Sequence, residues 1–415
     1  MSHKKPLLIV FFTVFVDLLG FGILIPVIPE LLANPQSPFF LLHNHSLSEG
    51  YILLGFLTAV YPLSVFFAAP ILGQLSDRFG RKKLLALSLA GTSASYVIFA
   101  IGIITRNIPL LFASRILDGI TGGNIAIAQA VIADSTAPEN RAKNFGIIGA
   151  AFGLGFIFGP YIGGKLSDPT VLHWFNATTP FWFAACLAMV NTISVIIFLP
   201  ETNRLLQLGK KITPIQSIHN LIRAFSNIDV RALFIATFLF QAGFSFFATF
   251  SSVFLINRFQ FTQGNIGDYF AYIGLWVAFT QAFIVRRFPK SVPPHLILRY
   301  GMLVTAFGLL LYFFVGNAWE LLLVTPIFAI ANGLTQVNLV GLISRSAGST
   351  IQGEILGVNS SVQSLAQLIP PMLSGYIAAS ISPESPVLIS VIVIGLAGLT
   401  FWLIYKPSNN SVYYK

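Results

Sequence analysis

The chain has 415 residues, of which 55% are hydrophobic and only 9% charged, with a formal net charge of +10. An ordinary soluble domain carries about 25% charged residues, so this composition excludes one and points to a membrane protein. The basic excess does not mark a nucleic-acid binder either, because Lys and Arg are scattered through short loops between apolar runs.

A helix crossing roughly 30 Å of hydrocarbon needs about 20 apolar residues at about 1.5 Å each. Runs of this kind fall at 6–29, 49–76, 84–104, 107–133, 143–166 and 178–200, then at 230–256, 264–287, 294–315, 318–343, 354–380 and 386–405. The expected fold is therefore an all-α membrane protein with twelve transmembrane helices. The first run has the basic start and apolar core of a signal peptide. Asp17 follows, however, and no small-residue cleavage site closes the run, so it reads as a retained span. Cys186 lies in the sixth run without a second cysteine, which excludes an internal disulfide.

An even number of spans puts both termini on one side. Assigning that side to the cytoplasm gives it twenty of the 24 Lys and Arg, including Lys4, Lys5, Arg81, Lys82, Lys83, Lys210, Lys211, Arg286 and Arg287. Only Arg106, Lys165 and Arg258 fall outside, with Arg115 inside a span, as the positive-inside rule demands.

The longest polar interval, 201–229, divides the spans six and six. The expected organisation is a six-helix bundle over 1–200, a cytoplasmic linker over 201–228 and a second bundle over 229–415. At a constant offset of 211, Gly122 matches Gly333, Gly146 matches Gly357, Pro160 matches Pro371 and Gly164 matches Gly375, so the halves read as pseudo-symmetric repeats. In transporters such repeats place the solute path at their interface near the bilayer midplane.

Three charges lie at that depth. Asp17 is about 16 Å into span 1, while Arg115 and Asp118 sit about 12 and 16 Å from the outer end of span 4 and share one helical face. A charge there costs around 3 kcal/mol on insertion scales, so it faces protein or a wet cavity and takes a partner. Two aspartates and one arginine leave a site of charge minus one, which a single proton neutralises. Asp17, Arg115 and Asp118 are the proton-coupling candidates, and the same negative site attracts a cationic solute. A fixed ion pair holding spans 1 and 4 together is the alternative.

The stretches GQLSDRFGRKK (73–83), RILDGITGG (115–123), GFIFGPYIGG (155–164), DLLGFGILIPVIP (17–29) and LPET (199–202) resemble the major facilitator superfamily, specifically its twelve-span drug/proton antiporters, with tetracycline efflux proteins nearest. The resemblance covers residues 7–202 well, whereas the second half agrees mainly in span count and in the degenerate repeat. It implies the two-bundle major facilitator fold. It also implies a cytoplasmic latch in which Asp77 faces the start of span 11, where free amides favour an anion, and Arg78 or Arg81 pairs with Asp134. Gly73 and Gly80 there permit close approach and a tight turn. Without the resemblance, these charges read as topological anchors. The family's span 4 motif assigns Arg115 to proton coupling and commonly has glutamine where this chain has Asp118. The resemblance further implies residence in a bacterial inner membrane with both termini cytoplasmic, as a monomer.

Gly155, Gly159 and Gly163 recur every four residues. With Gly164 beside them they make a small-residue face for a neighbouring helix, and Pro160 removes a backbone donor and can bend the span. Packing alone explains that face, and the resemblance ties it to antiporters. Tetracycline pumps resemble this chain but carry acidic residues within spans 3 and 9. This chain has none there, so tetracycline is not the expected substrate.

The second half offers amides in place of midplane carboxylates. Asn332 and Gln336 share a face of span 10; Asn359, Gln363 and Gln367 share one of span 11; Gln241 and Gln281 stand alone. Together with Asn124 in span 4, Gln241, Asn332, Gln336 and Gln363 are the substrate-binding candidates, with helix–helix hydrogen bonding the alternative. The phenylalanines of span 7 read equally as solute contacts or as core.

Several signals lead nowhere. GPYIGGKL (159–166) nearly matches a phosphate loop, but Leu166 replaces the required hydroxyl residue. His43 and His45 make at most a weak metal site. Asn44 and Asn176 head glycosylation tripeptides in outer loops. No nucleophile–base–acid set is present, so neither catalysis nor a cofactor or metal is expected.

The leading expectation is a proton-driven exporter of small amphipathic or cationic compounds working by alternating access. The alternatives are a proton-coupled importer or facilitator of a nutrient, peptide or siderophore, and a transporter-like receptor.

Overall fold

The computed structural model describes residues 4–43, 45–136, 141–203, 213, 215–226, 228–285, 292–346 and 352–405. Every regular element among them is a helix. Span 1 runs Lys4–Leu32, span 2 Leu47–Phe79, span 3 Arg81–Ile104, span 5 Arg141–Ser167 and span 6 Thr179–Phe198. Span 4 comes in two segments, Ile108–Thr121 and Asn124–Ser135. A short helix at Gln216–Ser226 precedes span 7, Ile228–Phe259. Span 8 is Gln263–Phe279 continued by a π-helical turn at Thr280–Ile284, and span 9 is Pro294–Leu310 ending in a 3-10 turn at Leu311–Phe313. Spans 10, 11 and 12 are Ala318–Ser346, Gln352–Ser380 and Ser385–Ile404. Each apolar run of the sequence thus holds a helix. Among the described residues, nine are long and apolar enough by themselves to cross a bilayer. Lys210, Lys211, Arg286 and Arg287, and most of the interval between spans 6 and 7, lie outside the described residues.

Local chemistry sets the helix ends. Ser46 and Glu49 form a reciprocal capping box at the start of span 2, satisfying amides that the first turn leaves without acceptors. His45 is drawn into this cap through a 2.9 Å contact to Glu49. Asn107 caps span 4 through the Leu110 amide. The Asn176 side-chain oxygen accepts from the Thr178 amide and hydroxyl, turning the chain into span 6. Asn44 lies outside the described residues.

The lipid-facing side of the bundle is legible in exposure. On span 12, Leu388, Ile392, Leu396, Leu399 and Leu403 follow one another at three- and four-residue intervals, and all are exposed. Val190, Ile193 and Ile197 do the same on span 6. Stripes of this kind are stable only against hydrocarbon.

The helices group into two compact units: Met1–Ser217, Thr249–Gly274 and Pro371–Pro383 in one, and Ile218–Ala248, Leu275–Pro370 and Glu384–Lys415 in the other. The first unit takes in one end of spans 7, 8 and 11. Within it, span 1 lies along span 5, and span 3 packs on spans 4 and 6. A side chain at Gly55 of span 2 would overlap the Pro371 carbonyl of span 11, and one at Gly267 of span 8 would come within 2.8 Å of the Pro160 carbonyl of span 5. In the second unit, span 9 packs between spans 10 and 12, and the rings of Phe247, Tyr312 and Phe328 cluster.

Candidate functional site

Span 1 places Asp17 inside the first unit, 9% exposed, with its Oδ2 buried and lacking any hydrogen-bond partner. On span 4, Arg115 and Asp118 are 3% and 4% exposed, and Arg115 Nη1 donates to Asp118 Oδ2 at 2.6 Å. Asp17 and Asp118 lie within electrostatic range of one another across spans 1 and 4. Two tyrosines that sequence reading passed over complete the cluster. Arg115 lies over the Tyr61 ring of span 2, 4.6 Å from its centroid, where the ring face favours a cation. Tyr96 of span 3 lies in the field of both aspartates and of Arg115, with its hydroxyl against Gly20 of span 1. Arg115 thus has Asp118 as its ion-pair partner, and among the described residues no cation pairs with Asp17.

The helix carrying that pair is interrupted just beyond it. The Gly122 amide still reaches the Asp118 carbonyl at 2.6 Å, but the Ala126 amide turns to Gly123 at 3.2 Å. The glycines let this break press on span 2, Gly122 against the Tyr61 hydroxyl and Gly123 against the Ala69 backbone. Sequence reading treated 107–133 as one continuous helix, and the paired glycines are what interrupts it.

The predicted small-residue face of span 5 packs on span 1. Gly155, Gly159 and Gly163 meet Leu18, Gly22 and Ile23, and Pro160 lies against Gly22, so the contact runs alongside Asp17. Gly164 points elsewhere, to Gly267 of span 8.

At the end of span 2, Arg81 is the hub. It binds Asp77 at 2.6 Å, Asp134 at 3.0 Å and the Ser76 hydroxyl at 2.5 Å. Of the two arginines considered for Asp134, Arg81 takes it. Arg78 instead lies over the Phe79 ring, and its buried Nε has no hydrogen-bond partner. Residue 351, just ahead of span 11, lies outside the described residues. Gly80 adopts a left-handed φ of 99°, and a side chain there would strike the Glu201 carboxylate. That carboxylate accepts from the Arg81 and Lys82 amides at 2.9 and 3.2 Å, capping span 3 with a negative charge. No local spacing around LPET reveals this role. At Gly73 no atom of the described residues lies within 4 Å of where a side chain would project.

Among the second-half amides, Gln336 Nε2 donates to Gln241 Oε1 at 2.7 Å, joining spans 10 and 7. Asn332 and Asn359 are 7% and 4% exposed, and each has an Oδ1 without a partner. Gln363 is half-buried on span 11.

The family model described as "Major Facilitator Superfamily" matches residues 10–371. The chain belongs to this superfamily. Membership makes it a multi-pass membrane transporter moving a small-molecule substrate, not an enzyme. It is 30% identical to the tetracycline resistance protein, class H, of Pasteurella multocida, over 90% of this chain and 89% of that one. It is 28% identical to multidrug resistance protein 2 of Bacillus subtilis, over 99% and 97%. The resemblance to tetracycline efflux proteins read from the motifs is borne out. Among solved structures, the D-xylose-proton symporter shares the fold with a TM-score of 0.76 at 18% identity, covering 98% of each chain. The human organic anion transporter MFSD10 does so with a TM-score of 0.71 at 23% identity, covering 97% of this chain and all of that one.

Proposed function

We propose that this superfamily member is a proton-driven exporter of small amphipathic, cationic compounds, with Asp17 as the residue that takes up and releases the proton. The observation that carries the reading is the charge inventory of the cluster. Arg115 and Asp118 neutralise one another within hydrogen-bond distance, so the odd negative charge falls on Asp17. An acid with a matched cation has little reason to change state, whereas an unmatched one at membrane depth gains by neutralising. Empty of its proton, Asp17 also favours a cationic solute, so solute and proton compete for one site, as antiport requires.

In this reading the halves 1–200 and 229–415 alternate around the site, joined by the linker 201–228. Both termini lie in the cytoplasm of a bacterium whose inner membrane holds the protein as a monomer. The Arg81 cluster braces the cytoplasmic ends of spans 2, 3 and 4 within the first half. The packing of spans 2 on 11 and 5 on 8, at the other end of these helices, closes the outer side. Asn332, Asn359 and Gln363 offer uncharged hydrogen-bonding groups to the solute. The class H relative is named for tetracycline resistance, but spans 3 and 9 here lack acids, so the favoured solutes are other cations.

Inverted vesicles carrying the protein test the reading. With an inward-acidic gradient, ethidium addition releases lumenal protons in the wild type and not in Asp17→Asn. Proton-driven ethidium uptake persisting in Asp17→Asn overturns the carrier role.

A further inference from the structure

Asn124 opens the second segment of span 4 and is wholly buried, yet neither its Nδ2 nor its Oδ1 has a hydrogen-bond partner. An unsatisfied buried amide costs about 1–3 kcal/mol, so a side chain kept in that condition has a use in some other state. The group within its reach is the carboxyl of Asp17, whose buried Oδ2 also lacks a partner. Two polar side chains on different spans thus face each other with their hydrogen bond incomplete.

We propose that Asn124 is the positioning residue of the proton carrier, serving both protonation states of Asp17 in turn. An amide is the side chain suited to this: its NH₂ donates to a carboxylate, and its carbonyl accepts from a carboxylic O–H. Rotation of the amide exchanges one bond for the other, so neither state of Asp17 is stranded. Asn124 follows directly on the break at Gly122–Gly123. Of the other groups near Asp17, the hydroxyls of Tyr61 and Tyr96 can also donate and accept, but they lie against Gly122 and Gly20. Asp118 and Arg115 are engaged with one another, and Tyr61 and Tyr96 are the remaining titratable groups nearby. Span 5 meets span 1 through glycines, and span 6 meets it through the uncharged Asn191.

This inference rests on Asp17 carrying the proton, and the test separates the two. Full-length protein in proteoliposomes is assayed for ethidium transport across a range of pH, in wild type, Asn124→Leu, Asn124→Gln and Asp17→Asn. A charged acceptor loses more than a neutral one when a donor is removed, by about 1–2 kcal/mol. Asn124→Leu therefore moves the pH profile to higher pH by about tenfold in proton concentration, and Asn124→Gln, which keeps the amide, moves it back. An unchanged profile in Asn124→Leu, or a change in ethidium KM alone, overturns the role of Asn124 while leaving the proton carrier standing. Retained proton-driven transport in Asp17→Asn overturns both. If Asn124→Leu fails to fold, the smaller Asn124→Ala carries the same comparison.

Discussion

The carbonyl of Pro371 in span 11 lies directly against Gly55 of span 2. Its repeat mate Pro160, 211 positions earlier, presents its own carbonyl to Gly267 of span 8 in the same way. Span 11 repeats span 5 and span 8 repeats span 2, so the two contacts are copies of one another. Each needs a residue without a side chain, because backbone approaches backbone there. Gly55→Leu or Gly267→Leu should force these helices apart at a cost of about 1–3 kcal/mol. The expected result is a lower melting temperature in detergent and faster labelling of a cysteine placed at Ser48. Unaltered melting and labelling would mean the helices meet elsewhere.

Arg115 and Asp118 form a buried pair whose members depend on one another. Arg115→Ala should destabilise the protein by about 3–5 kcal/mol, since it leaves a buried carboxylate unmatched. Adding Asp118→Leu should recover most of that loss. A melting series of the two single variants and the double variant measures the coupling, and simple additivity would rule the pairing out.

Gly80 and Glu201 predict a second pair of effects. Gly80→Ala places a β-carbon at a left-handed φ and against a carboxylate, for a cost of about 1–2 kcal/mol. Glu201→Ala removes the cap of span 3, at about 1 kcal/mol. Because both act at one junction, the double variant should fall short of the sum, and strict additivity would mean the contact contributes nothing.

Asp168, just past span 5, gives a pH prediction. Burial pushes its carboxyl up, but bonds from the Thr170 hydroxyl and amide, the Thr262 hydroxyl and the Gly264 amide outweigh this and hold it below the ordinary 3.8. A carboxyl depressed in the folded state contributes stability at pH values above its ordinary one, and that contribution fades as pH falls through the lowered value. Wild type should therefore lose stability below about pH 4 more steeply than Asp168→Asn. Parallel melting curves for the two proteins over this range would count against the assignment.

What the sequence revealed follows the range of each signal. The twelve spans were legible because hydropathy acts over a window of about 20 residues, and the face of Gly155, Gly159 and Gly163 because a helix repeats every 3.6. Asp17, Arg115 and Asp118 drew attention because charges are rare at such depth. Tyr61 and Tyr96 did not, since an aromatic residue within an apolar run looks like core until a guanidinium is found on its face. Glu201 is separated from the span it caps by 120 positions, a distance that no local pattern spans. The amide of Asn124 was visible in the sequence, whereas its complete burial was not.

Spans 6, 9 and 12 are each only twenty residues long, whereas span 2 has 33. At about 1.5 Å per residue the three short helices reach about 30 Å, the thickness of an average hydrocarbon layer, with nothing to spare for tilting. The longer helices can lean to suit a thicker or thinner membrane; these three cannot. Acyl-chain length should therefore govern how well the protein works after reconstitution, with the best lipids being those whose tails span that same distance.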